Sequence, residues 1–252
     1  MTADTSAMEL GGRTAIVTGA SRGIGAAIAK ELAARGARVA ITYLNSPDDA
    51  RNVVDAITQA GGAAVAVRAD HGTPEGARSG VRESVEALGS LDILVNNVGV
   101  GWISPLTETS DERLEAMLNI NLRGVVYATQ EGIRHISDGG RIINIGSIVG
   151  STVPYAGCSV YATSKAGLIG LTKALARDLG PRAITVNVIE PGPIATEGTP
   201  AEGDFATMLI EFTALKRFGR PQDVANLAAW IASDQAKYMT GSVVTIDGGW
   251  SA

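Results

Sequence analysis

Apolar positions along the chain fall into short runs separated by longer periodic stretches. "RTAIVTG" (Arg13–Gly19), "RVAITY" (Arg38–Tyr43), "AAVAVRAD", "LDILVNN", "GRIINIGS", "AITVNVIEPG" and "GSVVTIDGG" are apolar at consecutive positions and rich in β-branched residues. Strands of that kind are covered on both faces, which is the condition of a parallel sheet. Between them lie helical patterns: the Ala-rich "GIGAAIAKELAARG" (Gly23–Gly36) stopped by glycine, Pro47–Ala60 with Ser46 as N-cap, a stretch around Glu112–His135, and Tyr161–Leu179. The alternation predicts one α/β domain with a doubly wound parallel sheet over residues 10–252. No linker or charge block divides it, and residues 1–9 read as a flexible tail.

Composition narrows the function classes. With 45% apolar residues, 31 glycines and 3 phenylalanines among 252 residues, the core is expected to be Ala, Val, Ile and Leu. The net charge of −5 and the absence of a basic run argue against a nucleic-acid partner. The single Cys158 leaves no intramolecular disulfide and no multi-cysteine metal site, and no metal is expected. Residues 1–9 lack the basic start and apolar run of a signal peptide, and no apolar segment approaches the ~20 residues that span a bilayer. A soluble, cytoplasmic protein without a membrane partner is the expectation.

Three stretches carry candidate chemistry. "TGASRGIG" (Thr18–Gly25) joins the first strand to the first helix, where glycines admit a phosphate to the helix N-terminus. "NNVG" (Asn96–Gly99) ends the fourth strand, and both turns should meet at the carboxyl edge of the sheet. "PYAGCSVYATSK" holds Tyr155 and Tyr161, with Lys165 four residues after the second. Residues at that spacing share a helix face, and a neighbouring ammonium lowers a phenol's pKa. Tyr155 has Ser159 there instead, so Tyr161 is the chemical tyrosine.

Together, Thr18-Gly19-x3-Gly23-x-Gly25, Asn96-Asn97-x-Gly99, Tyr161-x3-Lys165, Pro191-Gly192 and Asp247-Gly248-Gly249 resemble the short-chain dehydrogenase/reductase family from about Leu10 onward. Bacterial 3-oxoacyl-carrier-protein-reductase-like carbonyl reductases look closest. The resemblance implies a Rossmann-type fold, a nicotinamide cofactor, and hydride exchange with a carbonyl without metal. It implies Tyr161 as general acid/base, Lys165 as its partner on the nicotinamide ribose, Ser147 as the donor to the substrate oxygen, and Asn121 as the end of a water-linked proton relay. Ser147 stands fourteen residues before Tyr161, slightly far for the family, so an insertion is expected between Val149 and Cys158. Asn119 is expected to be an ordinary polar position. Val98 stands where the family usually has alanine, which calls for a local packing adjustment. Cofactor contacts are implied for Gly19, Ser21, Arg22, Gly23, Ile24, Gly25, Tyr43, Asn45, Ser46, Asp70, His71, Asn97, Gly99, Tyr161, Lys165, Pro191, Gly192, Ile194 and Thr196.

NADP(H) is the expected cofactor. The second strand ends in Tyr43, with no acid to repel a 2′-phosphate, and Arg22 and Ser46 are placed to receive one, against the tempering charge of Asp48 and Asp49. Trp102, Ile103, Val149, Val153, Tyr155, Cys158 and the segment Ile194–Leu215 should line a mostly apolar pocket for a small ketone, with Cys158 a buried filler. A 3-oxoacyl-carrier-protein reductase and a nucleotide-binding regulator on the same fold are the alternatives. Apolar residues beyond one stripe on two helices (Val125, Val126, Leu168, Ile169, Leu171) point to a homotetramer or homodimer.

Overall fold

A computed structural model of the chain, described over residues 9–252, joins seven strands into one parallel sheet in the order β3-β2-β1-β4-β5-β6-β7. The strands are β1 (Thr14–Val17), β2 (Arg38–Tyr43), β3 (Ala63–Arg68), β4 (Leu91–Asn96), β5 (Ile136–Ile145), β6 (Thr185–Pro191) and β7 (Val243–Ile246). The order turns back between β1 and β4, so the chain leaves the middle of the sheet in both directions and opens a crevice there.

The consecutive apolar positions are explained by what covers each face. Ala15 and Val17 of β1 pack with α1 (Gly23–Ala34), α2 (Pro47–Gln59) and α8 (Pro221–Ala232). Ile16, between them, faces α3 (Pro74–Leu88), α5 (Gly124–His135) and α6 (Ser159–Leu179) on the other side. On the first face, alanines meet alanines: Ala29 and Ala33 of α1 and Ala225, Ala228 and Ala229 of α8 are all buried. Small side chains there let two helices approach closely over the sheet without bulky phenylalanines. A third apolar cluster, at the carboxyl edge, gathers Val149, Cys158, Phe218, Trp250 and residues of α7 (Asp204–Phe212).

Several elements depart from expectation. Helix α6 starts at Ser159, two residues before Tyr161, and β5 begins at Ile136. The helix expected around Glu112–His135 is α4 (Asp111–Leu118), a π-turn over Asn119–Arg123, then α5. Ser46 stands at the N-cap of α2, but its side chain caps nothing. Of the expected tail, residues 1–8 lie outside the described residues, and Glu9 is not loose: its carboxylate accepts from Arg35 and Gln235. Among the described residues no helix is long and apolar enough to cross a membrane.

Candidate active site

The two turns at the crevice are locked together. The Thr18 hydroxyl accepts from the backbone N–H groups of Asn97 (3.0 Å) and Val98 (3.1 Å). The Asn97 amide in turn donates to the carbonyls of Thr18 and Gly19, each at 2.9 Å. Gly19 and Gly23 have φ of +62° and +58°, a region glycine enters without strain. A methyl at Gly25 would stand 2.4 Å from Asn97 Nδ2, so that glycine is demanded by close approach. Val98 fills the space over Gly19, its Cα 2.9 Å from where a Cβ would sit. Arg22 occupies the N-cap of α1 without a capping side chain, which leaves first-turn N–H groups for an anion.

Around this cradle the expected cofactor residues fall into two groups. Thr196 lies over Gly23, its Cγ2 3.5 Å from where a Cβ would sit, and Arg22 is exposed, 4.0 Å from Glu197. Ser21 and Ile24 are partly buried in the same loop, and Tyr43, Asn45 and Ser46 line the end of β2 with Asn45 exposed. Gly192 packs on Asp247, whose Cα would be 2.6 Å from a Cβ. The second group is less available. Asp70 Oδ1 accepts from the Gly72 N–H at 2.9 Å as a turn aspartate. Ile194 buries its side chain in the core, leaving only its main chain free to touch a ligand. The His71 ring is buried beside Thr42, 2.9 Å from Nε2 to Oγ1, and burial lowers its pKa to about 4. It reaches the glycine loop only through Thr42 Oγ1, which accepts from the Gly19 N–H.

The proton-handling residues come from three elements. Ser147 ends the turn after β5, Tyr161 and Lys165 lie on α6, and Asn121 is buried in the π-turn. Lys165 Nζ donates to the Ile145 carbonyl at 2.9 Å and lies 5.9 Å from the Tyr161 ring centroid. A Cβ on Gly99 would stand 3.3 Å from Lys165 Nζ and 3.4 Å from Asn121 Oδ1, so the "NNVG" turn meets both. The Asn121 amide is saturated by the Val100 backbone and Ser164 Oγ. Asn119 sits apart, paired with Glu115 and Arg123.

The electrostatics correct one expectation. Burial pushes the Tyr161 hydroxyl up from its ordinary value, and Ser147 pulls it back down; the lowering expected from Lys165 does not dominate. Burial acts on the lysine as well and lowers it to about 8. Tyr155 is pushed up by burial and by its bond to Cys158. The fourteen-residue interval does not keep Ser147 from interacting with the Tyr161 hydroxyl.

Tyr155 is the hub of an aromatic group on the substrate side, with ring centroids 6.2 Å from Phe205, 6.4 Å from Phe212 and 6.2 Å from Trp250. Val149 and Cys158 are buried in that cluster, whereas Ile103 and Val153 are exposed at its margin. Sequence reasoning missed Trp250, although it directly follows Asp247-Gly248-Gly249. It also missed Arg68, which faces Tyr43 across the β2–β3 ladder and donates to the Leu44 carbonyl. The only sequence signal for Arg68 was strand register.

The geometry agrees with comparisons across known proteins. A family described as Enoyl-(Acyl carrier protein) reductase matches residues 19–251. The chain is 40% identical over 240 residues to the 3-oxoacyl-(acyl-carrier-protein) reductase FabG of Staphylococcus epidermidis, covering 94% of this chain and 98% of that one. It is also 40% identical over 241 residues to a cyclic-di-GMP-binding biofilm dispersal mediator protein of Escherichia coli, covering 96% and 98%. A short chain dehydrogenase from Burkholderia cenocepacia, solved in complex with NADP, superposes with a TM-score of 0.95 at 47% identity, covering 97% and 100%. With the glycine cradle, the Ser147/Tyr161/Lys165 grouping and this likeness over nearly all of its length, the chain belongs to the short-chain dehydrogenase/reductase family.

Proposed function

We propose that the protein is an NADPH-dependent carbonyl reductase of the cytoplasm that converts a ketone to a secondary alcohol. The observation that carries this reading is the meeting of Tyr161 with Ser147 and Lys165, the lysine beside Gly99 and the tyrosine against the apolar cluster. When bound, the nicotinamide supplies the hydride that the carbonyl carbon takes up. The chain's own work is on the other atom: the Ser147 hydroxyl hydrogen-bonds the carbonyl oxygen, and the Tyr161 hydroxyl gives its proton to that oxygen as charge develops. The raised pKa of Tyr161 keeps it protonated for reduction. Lys165 neighbours the resulting phenolate and binds ribose hydroxyls. The Asn121 amide, engaged by the Val100 backbone and Ser164 Oγ, sits with Lys165 against the Gly99 turn, placed to take part in returning the proton.

The residues present fit the phosphorylated cofactor. The cradle has glycines where methyls would clash, and no acid stands at Tyr43. Arg22, in exposed contact with Glu197 at 4.0 Å, can exchange that carboxylate for a 2′-phosphate, and Arg68 adds a second cation near Leu44. The Burkholderia relative's NADP supports the same choice.

The Staphylococcus relative favours a second reading, reduction of a 3-oxoacyl group on a carrier protein, and the Escherichia coli relative a third, nucleotide binding without turnover. Following NADPH absorbance across a panel of free ketones and acyl-carrier-protein thioesters separates them. Turnover of free ketones supports the first, activity confined to the thioester the second, and cofactor binding without oxidation the third.

A further inference from the structure

Glu190 places a carboxyl in a strand that is otherwise a core element. It is 1% exposed, on β6, whose residues are buried at every position, and it stands just before Pro191-Gly192. Alternation along the strand turns it to the same face as Val186, which packs with α6. Two glycines border it there. A Cβ on Gly146 would lie 3.5 Å from Glu190 Cγ. A Cβ on Gly150 would lie 3.1 Å from Glu190 Oε1, and also 3.1 Å from the Lys165 carbonyl carbon and the Ala166 nitrogen. The carboxyl therefore fills the gap between the turn that carries Ser147 and the helix that carries Tyr161 and Lys165.

The turn is tied to that carboxyl. The N–H groups of Gly150 and Ser151 donate to the carbonyls of Ser147 and Ile148, which closes Ser147–Ser151 on itself, and the Ser151 hydroxyl donates to Glu190 Oε2 at 2.8 Å. Glu190 Oε1 has no hydrogen-bond partner among the described residues. An ionised carboxylate has about four acceptor sites to satisfy, so a buried one with a single donor is costly. Burial raises the pKa of Glu190, the Ser151 hydroxyl draws it down, and the charge of Asp247 raises it again. The charged groups on the elements packed around it are Asp247, just after β7, and Lys165, on α6, whose ammonium donates to the Ile145 carbonyl. The turn from Gly146 to Ser151 contains no ionisable side chain.

We propose that Glu190 is a positioning residue for Ser147, its neutral carboxyl bracing the Ser147–Ser151 turn against β6 and α6. The inference rests on the carbonyl-reductase reading above. Once ionised, the carboxyl is a buried anion with one donor beside Asp247, and the gap no longer holds it. The turn then shifts and Ser147 leaves its alignment with Tyr161, which slows the chemical step without touching the glycine cradle. Because the pKa is raised, the brace persists above the ordinary carboxylate range and fails on the alkaline side.

The test compares wild type with Glu190→Gln, a neutral isostere that keeps an acceptor for Ser151, and Glu190→Leu, which removes it. With NADPH and a ketone substrate, Glu190→Leu should lose about tenfold or more in kcat with little change in KM for NADPH, and Glu190→Gln should recover most of that loss. From acidic to alkaline buffer, the kcat of Glu190→Gln relative to wild type should climb by about tenfold, since only wild type has this carboxyl to ionise. The titrations of Tyr161 and Lys165 are common to both proteins and cancel in the ratio. A glutamate with a merely structural role would lower Tm in both variants and leave the ratio flat. A flat ratio, or a Glu190→Leu protein with wild-type kcat, overturns the proposal; if Glu190→Leu does not fold, the ratio alone decides. Hydrogen exchange at the Gly150 and Ser151 amides of the cofactor-free proteins supplies a readout without turnover. Relative to Glu190→Gln, exchange should be faster in Glu190→Leu at every pH and faster in wild type only in alkaline buffer. That pattern in a protein that reduces no ketone sinks the reductase reading and leaves the brace standing; equal exchange throughout sinks the brace.

Discussion

At the scale of the residue, the two tyrosines of one short segment are separated by their surroundings. Tyr161 shares α6 with Lys165 and interacts with Ser147; Tyr155 is the centre of an aromatic group. Tyr161→Phe should abolish ketone reduction while NADPH binding, followed by fluorescence, persists. Tyr155→Phe should hold kcat within a few-fold and mainly raise KM; comparable kcat losses from both would reverse the assignment. Lys165 gives a second prediction. Its pKa is lowered to about 8 by burial, whereas in the unfolded chain it stays protonated to about 10.4. Between those values the unfolded state binds more protons, so this group's contribution to stability rises with pH. While charged it costs folding on the order of 3 kcal/mol. Lys165→Met should therefore be inactive, yet raise the Tm of the cofactor-free protein near neutral pH, and the gain should fade toward about pH 10. An unchanged or lowered Tm near neutrality would mean that its bond to the Ile145 carbonyl outweighs the desolvation.

At the scale of the element, the proposed preference for NADPH turns on the place where β2 ends beside β3. Tyr43 faces Arg68 across the ladder, exposed Arg22 stands at the N-cap of α1, and no carboxylate closes the strand. Charge-assisted hydrogen bonds are worth about 1.5–3 kcal/mol each, so one arginine contact gives roughly tenfold preference or more for NADPH. Tyr43→Asp should flatten or reverse that preference. Arg22→Ala should raise KM for NADPH more than for NADH, and Arg68→Ala should do so to a smaller degree. A wild-type kcat/KM for NADH equal to that for NADPH would refute this account of the strand end. The π-turn is the other element-level finding. "LNINLRG" reads as uninterrupted helix, and only an i→i+5 bond formed in the folded chain bulges it at Asn119–Arg123.

At the scale of the whole molecule, the expectation of self-association needs refinement. Val125 and Leu168 are buried within the chain, so they cannot serve an interface. Val126 is exposed, Ile169 and Leu171 are half-buried, and Trp230 and Tyr238 add exposed aromatic surface near the β7 edge. A homodimer or homotetramer is the expected state. Light scattering should give two or four times the 25.9 kDa of one chain, and a monomer mass that does not change with concentration would refute it.

The run of apolar strands, the glycine spacing and the Tyr161–Lys165 interval were legible without coordinates, because periodicity and close-approach glycines are local demands of the backbone. The parallel sheet and the place of the crevice follow from them. What the sequence could not state depends on residues far apart in the chain. Burial reversed the expected direction of the Tyr161 pKa, because desolvation is a property of the packed surroundings and acts on the lysine too. Strand register brought Arg68 to Tyr43. The Asp247 turn carried Trp250 into the cluster around Tyr161 and left its N–H without an acceptor among the described residues, since satisfaction of a buried polar atom is decided only when every neighbour is in place.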